Sequence, residues 1–225
     1  MTDPFQSSAL SEYQKSASHI ATGKDSVAAL KKSYERYDNL IARAINDSST
    51  KPACKAGCAF CCHYKVEVRA HEMLLIRDYM DKTFTAEKIQ AVLAEAAANA
   101  AIIHSITPEQ HLTTNLKCAL LQDNQCSIYP ARPFRCRNFH STDVNTCERS
   151  HNDPHNMEIA TGMIEDVAMY ADAHTQGFEA AAEQTGRDAR IYDFNTALIE
   201  VFTEANALKR YKTGKKTFTK AIEIT

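Results

Sequence analysis

Residues 54–63 read Cys54-Lys55-Ala56-Gly57-Cys58-Ala59-Phe60-Cys61-Cys62-His63, a C-x3-C-x2-C-C pattern that holds four of the chain's eight cysteines within nine positions. On a helix, about 100° per residue would set all four side chains on one stripe about 100° wide. Gly57 points to the alternative, a tight loop in which Cys58 and Cys61 form a metal knuckle. Either backbone gathers the sulfurs. Pro52 is placed to start a helix whose N-terminal dipole would keep nearby thiols deprotonated. Cys61 and Cys62 are neighbours, with Cα atoms about 3.8 Å apart. That is shorter than the usual disulfide span of about 4.4–6.8 Å, so they are not expected to bridge one another.

The other cysteines are Cys118, Cys126, Cys136 and Cys147, and neither flank has any. Residues 118–129 read as two short extended segments around an Asp123-Asn124 turn, a hairpin expected to set Cys118 across from Cys126. Pro130 and Pro133 then restrict the backbone ahead of Cys136. Four thiolates on Zn²⁺ or on a [4Fe–4S]²⁺ core leave a net charge of about −2, which makes Arg132, Arg135 and Arg137 expected charge partners. Cys147, His151 and His155 recur every four residues, but Asp153-Pro154 interrupts that helix, so the alignment is read as accidental. His63 and His140 flank the cysteine groups and are expected to be polar or partly exposed rather than ligands.

Outward from this region the chain is ordinary. It has 225 residues, a formal net charge of −2 and no tryptophan, with a mean hydropathy of −0.40. At this length a single helical domain can bury enough surface to fold without staples. The charge balance lacks the basic footprint of a nucleic-acid binder. No apolar run approaches the ~20 residues of a membrane span. Met1 to Ser8 has neither the basic nor the apolar part of a secretory signal, so a cytoplasmic location is expected. In a reducing compartment clustered cysteines bind metal or do redox chemistry more often than they form disulfides.

The flanks carry helical periodicity. Residues 1–24 are polar and read as a flexible arm, with one short helix as an alternative. From Asp25 to about Ile45 the positions Val27, Leu30, Tyr34, Tyr37, Ile41 and Ile45 step by three and four. Lys65 to Val68 alternates like a short strand. Helices are expected over His71–Met80, Thr85–His104, Met157–His174 and Tyr192–Leu208, with a further short one capped by Thr107-Pro108-Glu109-Gln110. Residues 209–225 read as a basic, solvated tail. The expected fold is mainly α: one helical domain over 25–208 around a cysteine-rich metal-binding region, 54–147, with a short β-hairpin.

The pair of patterns, CKAGCAFCC and then C-A-L-L-x4-C-S-I-Y-x2-R-P-x2-C-R-x-F, resembles the CxxCxxCC (YkgJ-like) family of zinc- or iron-chelating proteins. The likeness runs from Cys54 to about Phe139. It implies Cys54, Cys58, Cys61, Cys62, Cys118, Cys126 and Cys136 as metal ligands, with Cys147 completing the set of eight. Two departures are the x3 opening step and Asp123-Asn124 where a glycine is common. Some members are described as protein lysine N-methylases, but no separate methyl-donor site is legible here. The C-x3-C-x2-C portion is also the spacing of radical S-adenosylmethionine enzymes, yet no alternating βα units follow Cys62.

Eight thiolates can saturate two tetrahedral zinc ions, or hold one iron–sulfur cluster with the rest on zinc or free. The three-cysteine run tilts the reading slightly toward iron as a [4Fe–4S] cluster. Two function classes stay open: a metal-binding protein with a structural, redox or metal-handling role, and an iron–sulfur enzyme such as an N-methylase-like or electron-transfer catalyst using S-adenosylmethionine. A metal ion or cluster is the expected partner; a protein partner stays open, and neither nucleic acid nor membrane is expected.

Overall fold

The structure is a computed structural model that describes residues 3–21 and 26–224. The expected helix start at Asp25, residues 1–2 and 22–24 of the expected arm, and Thr225 lie outside the described residues. Helix α1 (Pro4–Ala21) precedes α2 (Ser26–Asp47), whose Val27, Leu30, Tyr34, Tyr37 and Ile41 all turn inward. A loop and a 3-10 turn (Phe60–His63) lead to β1 (Glu67–Arg69), α3 (Ala70–Thr83), α4 (Ala86–Ser105) and α5 (Pro108–Leu112). The hairpin is β2 (Leu121–Gln122) with β3 (Gln125–Cys126), followed by α6 (Phe134–Arg137) and α7 (Val144–Asn152). Then come α8 (Glu165–Gln184), β4 (Ile191–Asp193), α9 (Phe194–Thr203), α10 (Ala207–Lys212) and β5 (Glu223–Ile224). The protein is mainly α, with one antiparallel sheet in the order β1-β4-β5 beside the small hairpin.

Local signals account for several boundaries. At α5, Gln110 N–H donates to Thr107 Oγ1 (3.2 Å) while Thr107 N–H donates to Gln110 Oε1 (2.8 Å), the reciprocal cap read from the sequence. Thr85 Oγ1 caps α4 one way, accepting Lys88 N–H at 3.3 Å. The core draws on α2, α3, α6, α8 and α9. Phe134 of α6 sits edge-on to Tyr34 at 4.8 Å and 5.9 Å from Phe178, so an aromatic ring helps to fasten the cysteine-bearing region to the helical body.

The structure corrects four expectations. The stretch read as a flexible arm forms α1, which packs along α8. Its inward face includes Glu12 and Ser16 as well as Ile20, so apolar periodicity could not reveal it. The tail read as solvated buries Tyr211, Thr217 and Phe218 completely and adds β5 to the sheet. The helix expected from Met157 begins only at Glu165, because Thr142 N–H donates to the Gly162 carbonyl (2.9 Å) and Met163 bridges Ser141, which holds this segment extended. The helix expected from Tyr192 is strand β4 first, with Tyr192 opposite Val68, and the helix that follows stops at Thr203.

Gly177 on α8 shows how closely α1 docks. A Cβ there would overlap the Ala9 carbonyl oxygen and touch Glu12 Cβ at 3.0 Å. Gly177→Ala is therefore expected to destabilise the fold by about 1–3 kcal/mol despite alanine's better helix propensity. An unchanged urea midpoint would show that α1 can move aside at no cost.

Candidate metal centre

Gly57 decides the backbone of the first cysteine group. Its φ of +86° suits a residue without Cβ, and Cys58 N–H closes the turn onto the Lys55 carbonyl at 3.0 Å. The segment is thus a loop followed by a 3-10 turn rather than one helical stripe, and no helix starts at Pro52. Cys61 and Cys62 lie in that turn. Cys118 N–H donates to the Cys62 carbonyl (2.8 Å) and Leu116 N–H to the His63 carbonyl (2.9 Å), which lays the second cysteine segment directly against the first.

The hairpin differs from expectation in register. Asp123 (φ +49°) and Asn124 (φ +57°) fill the two left-handed positions of a two-residue turn, which pairs Gln122 with Gln125 and Leu121 with Cys126. Cys118 is therefore not the cross-strand partner of Cys126; it stands at the foot of the hairpin, where its carbonyl accepts Leu121 N–H. Cys136 rides on α6, and Cys147 is buried in α7, which packs on the 3-10 turn. Tyr64 Oη donates to the Cys147 carbonyl at 3.4 Å.

All eight cysteines are free thiols, and the fields they exert on one another sort them. Cys54 feels Cys61, Cys58 and Cys147; Cys147 feels Cys58 and Cys61. Cys136 feels Cys118, Cys126 and Cys61; Cys118 feels Cys126 and Cys61. Cys61 is common to both lists. Burial is the main force raising the thiols of Cys54, Cys126, Cys136 and Cys147, and it pushes Cys118 up to about 11. For Cys61 the contact with the Cys62 thiol comes first and burial second. Crowded, buried thiols resist ionisation unless a cation compensates them, and a metal supplies that cation while displacing their protons.

As the side chains stand, no three Cys, His, Asp or Glu groups among the described residues are close enough to hold a metal ion. The chemistry of the donor set fits one nevertheless. Arg132 Nε is buried without a hydrogen-bond acceptor, and its charge acts on Cys61 and Cys126. Arg137, 3% exposed, grips Asp38 (2.7 Å) and the carbonyls of Arg132 and Pro130, lies 4.0 Å over the Tyr34 ring, and also acts on Cys126. Thiolates drawn onto a metal would give Arg132 a counter-charge, while Arg137 already has Asp38. A closed shell needs the thiols turned inward, a change of side-chain rotamer. Arg135 is exposed and lines a separate cleft, so it does not share this role.

Among the histidines, His63 and His151 meet edge-on at 4.6 Å beside Phe60, and Asn115 Nδ2 donates to the His151 carbonyl at 2.6 Å. His155 lies beyond the end of α7 and is exposed. His140 is partly buried, with Nδ1 unpaired.

Two residues outside the cysteine patterns support the centre. Ser141, 1% exposed, donates its N–H to Cys54 Sγ at 3.3 Å, and its hydroxyl acts on Cys147. Glu72, 3% exposed, accepts Arg69 N–H and Phe134 N–H, each at 2.8 Å, so a carboxylate of α3 holds the first residue of the Cys136 helix. An acidic residue opening the run Met73-Leu74-Leu75-Ile76 was the available signal for Glu72; Ser141 offered none.

Burial pushes the Glu72 carboxyl from 4.5 up to about 7, against the pull of its two backbone donors. The folded protein then holds a proton that the unfolded chain has released. The corresponding stability is complete below pH ~4.5 and is lost as pH rises toward ~7, by up to about 3 kcal/mol. Glu72→Gln is expected to flatten this part of the stability profile in urea unfolding; parallel profiles for the two proteins would exclude Glu72 as its source.

Residues 53–160, which include all eight cysteines, match the family model CxxCxxCC, described as "Putative zinc- or iron-chelating domain". Neither the curated proteins nor the solved structures gave a match to the chain.

Proposed function

We propose that the CxxCxxCC zinc- or iron-chelating domain formed by residues 53–160 is a double thiolate centre whose metal organises the cysteine region. Cys54, Cys58 and Cys147 form one set of three; Cys118, Cys126 and Cys136 form the other. The adjacent pair Cys61 and Cys62 supplies one further thiolate to each. The observation that supports this is how the segments pack on the 3-10 turn: Cys118 N–H bonds the Cys62 carbonyl from one side, while α7 with Cys147 packs on the turn and Ser141 N–H reaches Cys54 Sγ from the other. Cys147 thereby joins the first group, although it lies 85 positions beyond Cys62.

Two sets of four thiolates suit two tetrahedral zinc ions, or an iron–sulfur cluster in place of one or both. The filled shells favour a structural, redox or metal-handling role. An iron–sulfur enzyme using S-adenosylmethionine needs one metal position left open to its substrate, which this ligand count does not leave.

Metal analysis and visible and EPR spectra of anaerobically purified protein test the reading. Two colourless zinc ions per chain, or iron with the visible absorption of a cluster together with a second filled site, support it. A single metal ion held by four of the thiols, or protein that folds fully without metal, overturns it.

A further inference from the structure

The residues that face each other across α1 and α2 form a second constellation of charge, away from the cysteines. A cleft of about 320 Å³ opens between the two helices and reaches His174 of α8. Ser8, Ser11 and Lys15 enter it from α1 and Arg36, Asn39 and Arg43 from α2, at the three- and four-residue steps that align side chains on one helix face.

Glu12 is the one carboxylate in the lining, and its charge is already taken. Arg36 grips it with both arms, Nε to Oε2 at 2.7 Å and Nη2 to Oε1 at 2.6 Å. Ser16 and Ser33 hydroxyls donate to the same Oε1 at 2.6 and 2.7 Å. Burial holds His174 neutral at physiological pH, down at about 4, and its Nε2 lies 3.0 Å from Ser33 Oγ. Lys15 and Arg43 remain as cations at the cleft with no ion pair among the described residues. Two uncompensated positive charges, two hydroxyls and an amide around a concavity of this size are the donor set for an anion larger than a simple ion.

We propose that the α1–α2 cleft binds a small dianionic metabolite, a phosphate monoester or a dicarboxylate, with its charged group between Lys15 and Arg43. Arg36 is a positioning residue there: its bond to Glu12 sets the floor of the cleft. The site is independent of the metal reading, because no cysteine lines it.

Calorimetric titration of the metal-loaded full chain with glucose 6-phosphate, succinate and inorganic phosphate, at constant ionic strength, tests this. At least one of the three is expected to bind, and which one distinguishes an ester from a dicarboxylate. Lys15→Ala and Arg43→Ala should each weaken binding about tenfold, the loss of one charge-assisted hydrogen bond, with helical circular dichroism and metal content unchanged. Lys15→Arg should retain binding. No heat from any of the three at millimolar concentration, or equal binding by the doubly substituted chain, would overturn the proposal.

Discussion

Cys61→Ser is expected to remove a ligand from one half of the centre and to loosen the other by disturbing the 3-10 turn that seats Cys62, whereas Cys54→Ser should weaken one. Cys61 is the thiol whose field reaches Cys54, Cys118, Cys126, Cys136 and Cys147, and it sits in the turn against which α7 packs and onto whose Cys62 carbonyl Cys118 is hydrogen-bonded. Serine keeps the volume but is a poor ligand for zinc or iron. A structural zinc site contributes apparent binding energies of about 10–16 kcal/mol, so losing one can exceed the net stability of the segment it holds. The elements within 54–63 and 114–147 are short, and Cys54, Cys58 and Cys62 lie in loops and turns with little core of their own. The expected signature is loss of hydrogen-exchange protection over 54–63 and 114–147, with α2, α3, α8 and α9 still protected by their own apolar contacts. Metal per chain and exchange protection measure it. A Cys61→Ser protein that keeps its full metal content would refute the ligand role of Cys61.

Glu200→Ala should release the C-terminal segment and lower stability by about 3–5 kcal/mol, the scale for breaking a buried charged network. Glu200 on α9 is 2% exposed and accepts three successive backbone donors: Thr219 N–H at 2.6 Å, Lys220 N–H at 2.7 Å and Ala221 N–H at 2.6 Å. Arg210 Nη2 approaches the same carboxylate at 3.4 Å. Alanine would leave those three N–H donors without their acceptor, while Arg210 keeps Glu204 and the Thr217 carbonyl, and would free Phe218 and β5 from the body. For a chain of this length the melting temperature should fall by about 10 °C, with new proteolytic cleavage after residue 212. Glu200→Gln, which keeps one carbonyl acceptor, should lose less. A change below about 1 kcal/mol would mean that Phe218 and the sheet hold the segment without the carboxylate.

Glu200 and Glu12 show why the two ends of the chain were read as an arm and a tail. Sequence periodicity detects faces that are apolar, and these ends are seated by buried carboxylates: Glu12 on Arg36, Ser16 and Ser33, and Glu200 on a row of backbone N–H groups. Such anchors depend on partners far away in the chain, so their sequence pattern looks solvated. Helices α2, α3 and α4 were legible because their inward positions are aliphatic or aromatic and repeat at helical spacing. The hairpin turn was legible at Asp123-Asn124. A two-residue turn sets Cys126 opposite Leu121, which leaves Cys118 outside the ladder.

The sequence by itself determined the class of the protein and the chemistry of its centre. Mainly helical flanks follow from local periodicity, and eight thiols in two spaced groups with basic residues around Cys136 follow from composition and order along the chain. Both are short-range properties. Only the tertiary structure decided which cysteine-bearing segments meet. It carries Cys147 on α7 back to Cys54 and Cys58, lays Cys118 against Cys62, and leaves Arg132 Nε buried with no acceptor. Those meetings depend on helix packing and on backbone bonds between segments more than fifty residues apart, which spacing within either cysteine group does not encode.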